Sequence, residues 1–156
     1  MLIRLDRRSS NLDLASRIDH TILQPEARGR DVHRVVAEAI EHGFASVCVN
    51  GTFVSDVARA LHGTGVKTCA VVGFPLGASK ATMKTIEATV AVKDSASEID
   101  FVAHLPHLLN KNWLAAKAEF LDLVRAVRSI HFWEARSEFR DCKSGFFESS
   151  VEIKIQ

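Results

Sequence analysis

From about residue 14 onward the chain alternates short apolar, β-branched runs with longer amphipathic segments of helical period, the pattern of βα units built around a parallel sheet. The apolar runs are RIDHTIL (17–23), ASVCVN (45–50), VKTCAVVGF (66–74) and SEIDFVA (97–103), and each predicts a strand. Between the first two, Val32, Val35, Val36, Ala39 and Ile40 share one helical face, with Asp31 as the expected N-cap and Gly43 just past the end. A second helix is predicted from Thr52, with Phe53, Val54, Val57, Ala58 and Leu61 on one side and Gly63 and Gly65 stopping it. The third is expected from near Ser79 and presents Met83, Ile86 and Val90. The fourth is expected from Asn112 and repeats Trp113, Phe120, Val124 and Val127. Strand-to-strand crossovers through a helix are right-handed, so these units curl in one sense, as in a TIM barrel or an open doubly wound sheet. After about residue 128 the period fades, and the terminal VEIKIQ alternates Val151, Ile153 and Ile155 with polar residues, which suits a half-buried or edge strand and supplies a candidate fifth.

Strands of a parallel sheet covered by helices should be apolar throughout, because burying an unpaired charge costs several kcal/mol or forces it to neutralise. Here three of the four strands carry a polar stripe: Asp19 with Thr21 in the first, Cys48 with Asn50 in the second, Glu98 with Asp100 in the fourth. If the apolar stripes face the helices, the polar stripes converge on the barrel interior, where catalytic groups gather at the C-terminal ends of strands. Asp100 is the sharpest candidate, against the plainer reading of a carboxylate paired with a lysine or capping a loop. Asp19 and Thr21 also read as a hydrogen-bonded strand end, and Cys48 as pocket or core lining.

Composition narrows the partners. The chain has 156 residues, 47% hydrophobic and 25% charged, with a formal net charge of +1 and no concentrated basic stripe, so a nucleic-acid or membrane surface is not expected and a small-molecule partner fits better. Cys48, Cys69 and Cys142 form no CxxC pair, and two sit in apolar runs, which points to a reducing, cytoplasmic setting. Arg4, Arg7, Arg8 and Arg17 faintly resemble a targeting presequence, but Asp6 and Asp13 interrupt it. The loop GFPLGA (73–78) permits a close backbone approach at a helix start but lacks the spacing of a phosphate-binding motif. His104 and His107 in HLPH have no further ligands at metal-site spacing, and no metal is expected.

Taken together, IDHTIL with Pro25, GFASVCVNGTFV (43–54), VVGFPLGA (71–78) and EIDFV (98–102) resemble, in order and spacing, the signature segments of the deoxyribose-phosphate aldolase family. The resemblance implies an α/β fold, here a partial TIM (β/α)8 barrel of about four to five parallel βα units. It covers residues 14–128, preceded by an N-terminal segment (1–13) and followed by an irregular tail (129–156). It also implies a class I aldolase that cleaves 2-deoxyribose 5-phosphate to acetaldehyde and glyceraldehyde 3-phosphate through a lysine Schiff base, with no metal or other cofactor. By the same resemblance Asp100 matches the proton-relay carboxylate, Asp19 and Thr21 match polar residues at the barrel mouth, and Cys48 matches a cysteine beside the substrate.

The chain departs from the family pattern at Gln24, at Gly51 and at Ser95 with Ala96, and it contains no segment of the KTSTGF type that supplies the Schiff-base lysine. Eight βα units would require more than about 200 residues. The expectation is therefore an aldolase-like chain, inactive alone, that self-associates or pairs with a complementing chain. The other reading is a noncatalytic half barrel serving binding or assembly. A third, in which Lys67 or Lys154 has taken over Schiff-base duty, requires a lysine whose pKa is depressed by burial.

Overall fold

The computed structural model describes residues 14–138 and 152–155; the segments 1–13 and 139–151 and residue 156, with Arg4, Arg7, Arg8 and Cys142 among them, lie outside the described residues. Five strands, β1 (Asp19–Ile22), β2 (Ser46–Val49), β3 (Lys67–Val72), β4 (Glu98–Phe101) and β5 (Glu152–Ile155), form one sheet. Every neighbouring pair is parallel and the order is β1-β2-β3-β4-β5. A doubly wound sheet would reverse direction at a switch point. This sheet never does, so the open doubly wound alternative falls, and the terminal VEIKIQ does supply a fifth strand.

Five helices connect or follow the strands: α1 (Gly29–His42), α2 (Val54–Leu61) after a single 3₁₀ turn at Gly51–Phe53, α3 (Ala81–Lys93), α4 (Leu105–Leu109) and α5 (Trp113–Glu138). Gly43 ends α1 in the left-handed conformation, with φ 66°, as its position in the sequence predicts. Asp31 is not the N-cap of α1. The helix begins at Gly29, and Asp31 lies in its first turn, accepting a hydrogen bond from the Arg28 backbone N–H at 3.1 Å. α5 runs past residue 128 to Glu138, through a stretch with no apolar period but with no glycine or proline to stop it.

The alternation along the strands separates two faces. Val47, Val49, Ala70, Val72, Ile99 and Phe101 point toward the helices and pack with Val32, Val35, Val36, Val54, Val57, Leu61, Ala88, Leu123 and Val127 in one core. Cys48, Cys69 and Val71, with Leu23 against them, form a separate small cluster on the opposite, concave face. The polar stripes lie on this concave face, as the barrel reading requires.

The packing of α3 differs from its apolar pattern. Met83, Ile86 and Val90 are 56%, 55% and 50% exposed, while Lys84, Ala88, Ala91 and Val92 are buried. Alanine at 88 and 91 lets the helix backbone lie close to its neighbours, and Lys84 reaches a buried carboxylate, so the small face goes inward and the larger apolar one outward. In α5 Leu123 and Val127 are buried and Trp113 is 62% exposed, so the inward face is rotated by about one residue from the expected one.

One contact measures the curvature of the sheet. Thr21, Cys48, Cys69, Glu98 and Glu152 are successive register partners across the five strands. Lys154 lies two residues beyond this line and Asp19 two residues before it, yet Lys154 Nζ is 2.7 Å from Asp19 Oδ2. Residues four apart in register thus stand at one height after four strand-to-strand steps. A stagger of one residue per strand is that of a closed barrel with shear of about eight over eight strands. The sheet is an arc of such a barrel.

Candidate functional site

The same stagger ranks the inward-facing side chains by height. Moving from the N-terminal toward the C-terminal ends of the strands, Ser46 and Glu98 come first, then Asp19, Cys69 and Lys154, then Cys48 and Asp100, then Thr21 and Val71. Successive layers draw on alternate strands, which is how barrel interiors interdigitate.

The two lower layers form one ionic network. Ser46 Oγ donates to Asp19 Oδ1 at 2.6 Å, Lys154 Nζ bridges Asp19 Oδ2 at 2.7 Å and Glu98 Oε2 at 2.9 Å, and Lys67 Nζ reaches Glu98 Oε1 at 2.8 Å. Glu98 is 2% exposed, and both its oxygens are held by lysines, which is the condition for keeping a buried carboxylate charged. Burial alone would raise the pKa of Asp19, but the hydrogen bonds from Lys154 and Ser46 outweigh it and hold the carboxyl below its ordinary value. For Lys154, burial would pull the ammonium down, while the hydrogen bonds to Asp19 and Glu98 hold it well above the ordinary lysine value.

The predicted site residues therefore separate. Asp100 and Cys48 share one layer of the upper interior, with Thr21 in the layer above. Asp19 stands at the start of β1, two residues before Thr21 and one layer below Asp100 and Cys48, and is engaged by Ser46 and Lys154. Period-two alternation places Asp19 and Thr21 on one face, and their height against residues of the other strands comes from the register. Asp100 and Cys48 are buried, whereas Thr21 is exposed, its hydroxyl donating to the Asp19 carbonyl at 2.9 Å. Cys69, in register beside Cys48, is held far above the ordinary thiol pKa by its hydrogen bond to Cys48 and by burial. It is packing, not a nucleophile.

A second polar cluster, which the sequence reading missed, lies at the C-terminal ends of β3 and β4. Lys84 is 1% exposed; its Nζ donates to the Val102 carbonyl at 2.9 Å and to Glu119 Oε1 at 2.8 Å, and lies 5.0 Å from the centre of the Phe101 ring. Glu119 Oε2 accepts from the His104 backbone N–H at 3.2 Å. His104 Nδ1 lies 3.3 Å from the Gly77 carbonyl, which can only accept, so that ring nitrogen carries the proton. Gly77 has φ +62°, and a Cβ there would stand 2.2 Å from the Ala103 carbonyl oxygen. The GFPLGA glycine thus serves a close approach of two loops. Among the described residues no group of three or more His, Cys, Asp or Glu could hold a metal, and no helix is long and apolar enough to cross a membrane.

No protein-family model matches the chain. Curated proteins do. The deoxyribose-phosphate aldolase of Caldanaerobacter subterraneus subsp. tengcongensis is 43% identical over 125 residues, covering 80% of this chain and 54% of that protein. That of Clostridium kluyveri is 44% identical over 115 residues, covering 74% and 53%. Among solved structures, the tetrameric deoxyribose-phosphate aldolase of Aeropyrum pernix superposes with a TM-score of 0.70 at 36% identity, covering 80% of this chain and 52% of that one. The chain spans about half the length of the curated relatives it matches. With matching segments in register and a parallel sheet that curls as a barrel arc, the chain belongs to the deoxyribose-phosphate aldolase family.

Proposed function

We propose that this chain forms the pocket and proton-relay side of a deoxyribose-phosphate aldolase-type site, and that it does not turn over 2-deoxyribose 5-phosphate by itself. In this reading Asp100 is the relay carboxylate, moving a proton to or from the carbon beside the reacting carbonyl, while Cys48 and Thr21 line the space around the small aldehyde or sugar phosphate. The observation that carries it is the sorting of the interior by height. The buried carboxylate and the thiol stand together toward the C-terminal ends of the strands, and Lys67 and Lys154 are tied to Asp19 and Glu98 in the layers beneath that carboxylate and thiol.

Schiff-base chemistry needs a neutral amine. An ammonium held above its ordinary pKa by two carboxylates supplies one less readily than a free lysine, which argues against Lys154 as a substitute nucleophile. Lys67 Nζ is likewise engaged by Glu98, at the start of β3 and far from the Asp100 layer. Incubation with acetaldehyde and borohydride followed by peptide mapping tests this directly, alongside an assay of deoxyribose 5-phosphate cleavage. The expected result is neither turnover nor a reduced lysine adduct; an adduct on Lys67 or Lys154 with turnover would refute it.

The exposed stripe of Met83, Ile86 and Val90, together with the tetrameric state of the Aeropyrum pernix relative, supports self-association of this chain as well. The alternative, a noncatalytic half barrel used for assembly, is favoured by the self-contained lower charge network, which needs no substrate to balance it. Stable oligomers that bind neither acetaldehyde nor a sugar phosphate would support that alternative. Cytoplasmic placement is proposed from the two buried free thiols, Cys48 and Cys69.

A further inference from the structure

Lys84 and Glu119 form a buried ion pair where two loops of the C-terminal end meet. The pair is tied into both. On the β3 side, a Cβ at Gly73 would lie 3.0 Å from Lys84 Cε, so the lysine stem lies across the first residue of the β3–α3 loop. Glu87, one turn further along α3, accepts the Gly73 backbone N–H at 2.9 Å. On the β4 side, Lys84 Nζ holds the Val102 carbonyl and Glu119 holds the His104 N–H, two residues that directly follow the strand carrying Asp100. His104 then returns to the Gly77 carbonyl, closing a ring of contacts from one loop to the other.

A buried pair of this kind is weak evidence for stability, since matched apolar residues can replace one at little or negative cost. What apolar residues cannot do is hold a carbonyl and an N–H in fixed directions. We infer that Lys84 and Glu119 are positioning residues: they fix the β3–α3 loop (73–80) against residues 102–104 and so hold the end of β4 that presents Asp100. The inference rests on the reading of this end as the reacting end.

The test separates holding from mere stability. In the full 156-residue chain, K84M leaves Glu119 buried without its cation and is expected to lower stability throughout. The double variant K84M/E119L replaces the pair with apolar side chains of similar length and is expected to recover most of that stability. Residue-resolved amide exchange by NMR should still show His104 and Gly77 exchanging at least tenfold faster in the double variant than in the parent, with Val47 and Ile99 unchanged. The His104 ring nitrogens give a second readout that stability does not move: the Nδ1–H tautomer of the parent should give way to the Nε2–H form in E119Q and in the double variant. Parental protection and a parental tautomer in the double variant would overturn the inference, as would an increase spread equally over Val47 and Ile99. These measurements use substrate-free protein. A trapped lysine adduct would therefore overturn the proposed function without touching this result, and parental exchange would do the reverse.

Discussion

Replacing Lys154 with methionine tests the barrel-arc reading most directly, because one side chain joins the first strand to the fifth. The substitution keeps much of the stem volume and removes the ammonium that Asp19 and Glu98 share. A fully buried pair broken on one side costs about 3–5 kcal/mol, and an exposed pair about 0–1 kcal/mol. Lys154 and Asp19 are each about one-third exposed, at 32% and 33%, whereas Glu98 is 2% exposed but keeps Lys67. The expected loss therefore lies between these limits, at about 2 kcal/mol near neutral pH, or a fall of about 4–8 °C in Tm for a chain of this size. Urea unfolding followed by circular dichroism would measure it.

The pH dependence has a definite sign. The Asp19 pKa is depressed in the folded state, so its contribution is fully present above the unfolded carboxylate value of about 3.9 and is lost as pH falls through the folded value. The Lys154 pKa is raised, so its contribution is present below the unfolded lysine value of about 10.4 and is lost only as pH climbs through the higher folded value. The gap between parent and K154M should be flat from about pH 5 to 9 and shrink below about pH 4 as Asp19 takes up its proton. A variant as stable as the parent at pH 7, or a gap that does not narrow in acid, would refute the ionic bridge between β1 and β5.

Gly77→Ala should destabilise by about 2 kcal/mol or more, since φ +62° disfavours a side chain and the new Cβ meets the Ala103 carbonyl; thermal unfolding within about 0.5 kcal/mol of the parent would count against the close approach. Ile99→Ala empties a fully buried core position and should cost about 2–5 kcal/mol, measured by urea unfolding. Cys48 and Cys69 should resist alkylation by iodoacetamide at pH 8 in native protein and react fully in denaturant, and fast native labelling of Cys69 on peptide mapping would contradict its burial and raised pKa. Introducing glutamate at both Met83 and Val90 should reduce self-association without loss of helix, read by light scattering at matched concentration; an unchanged mass would remove the α3 stripe as the contact.

Local pattern alone determined a good deal. The alternation of Val47, Val49, Ile99 and Phe101 with Cys48, Glu98 and Asp100 separated the helix-facing side of the sheet from the concave side. The βα rhythm located β1 to β4, the alternation in VEIKIQ offered β5, and Gly43 located the end of α1. Such features depend on residues two to four positions apart, where the geometry of one strand or one helix turn settles the outcome. The signature segments carried the family as well.

Tertiary structure decided what depends on distant neighbours. The height of each inward-facing residue relative to those of other strands follows from the register, which no strand's own sequence records, so nothing in IDHT shows that Asp19 stands level with Lys154 while Cys48 and Asp100 share the layer above. On α3 the apolar count favours Met83, Ile86 and Val90 as the inward face, and these three are exposed. The packing was decided instead by two alanines and by a lysine whose carboxylate partner lies 35 residues away. Lys154 shows the limit most clearly. Its sequence allows either a depressed or a raised pKa, and the choice falls to Asp19, which is 135 residues away along the chain and 2.7 Å away in space.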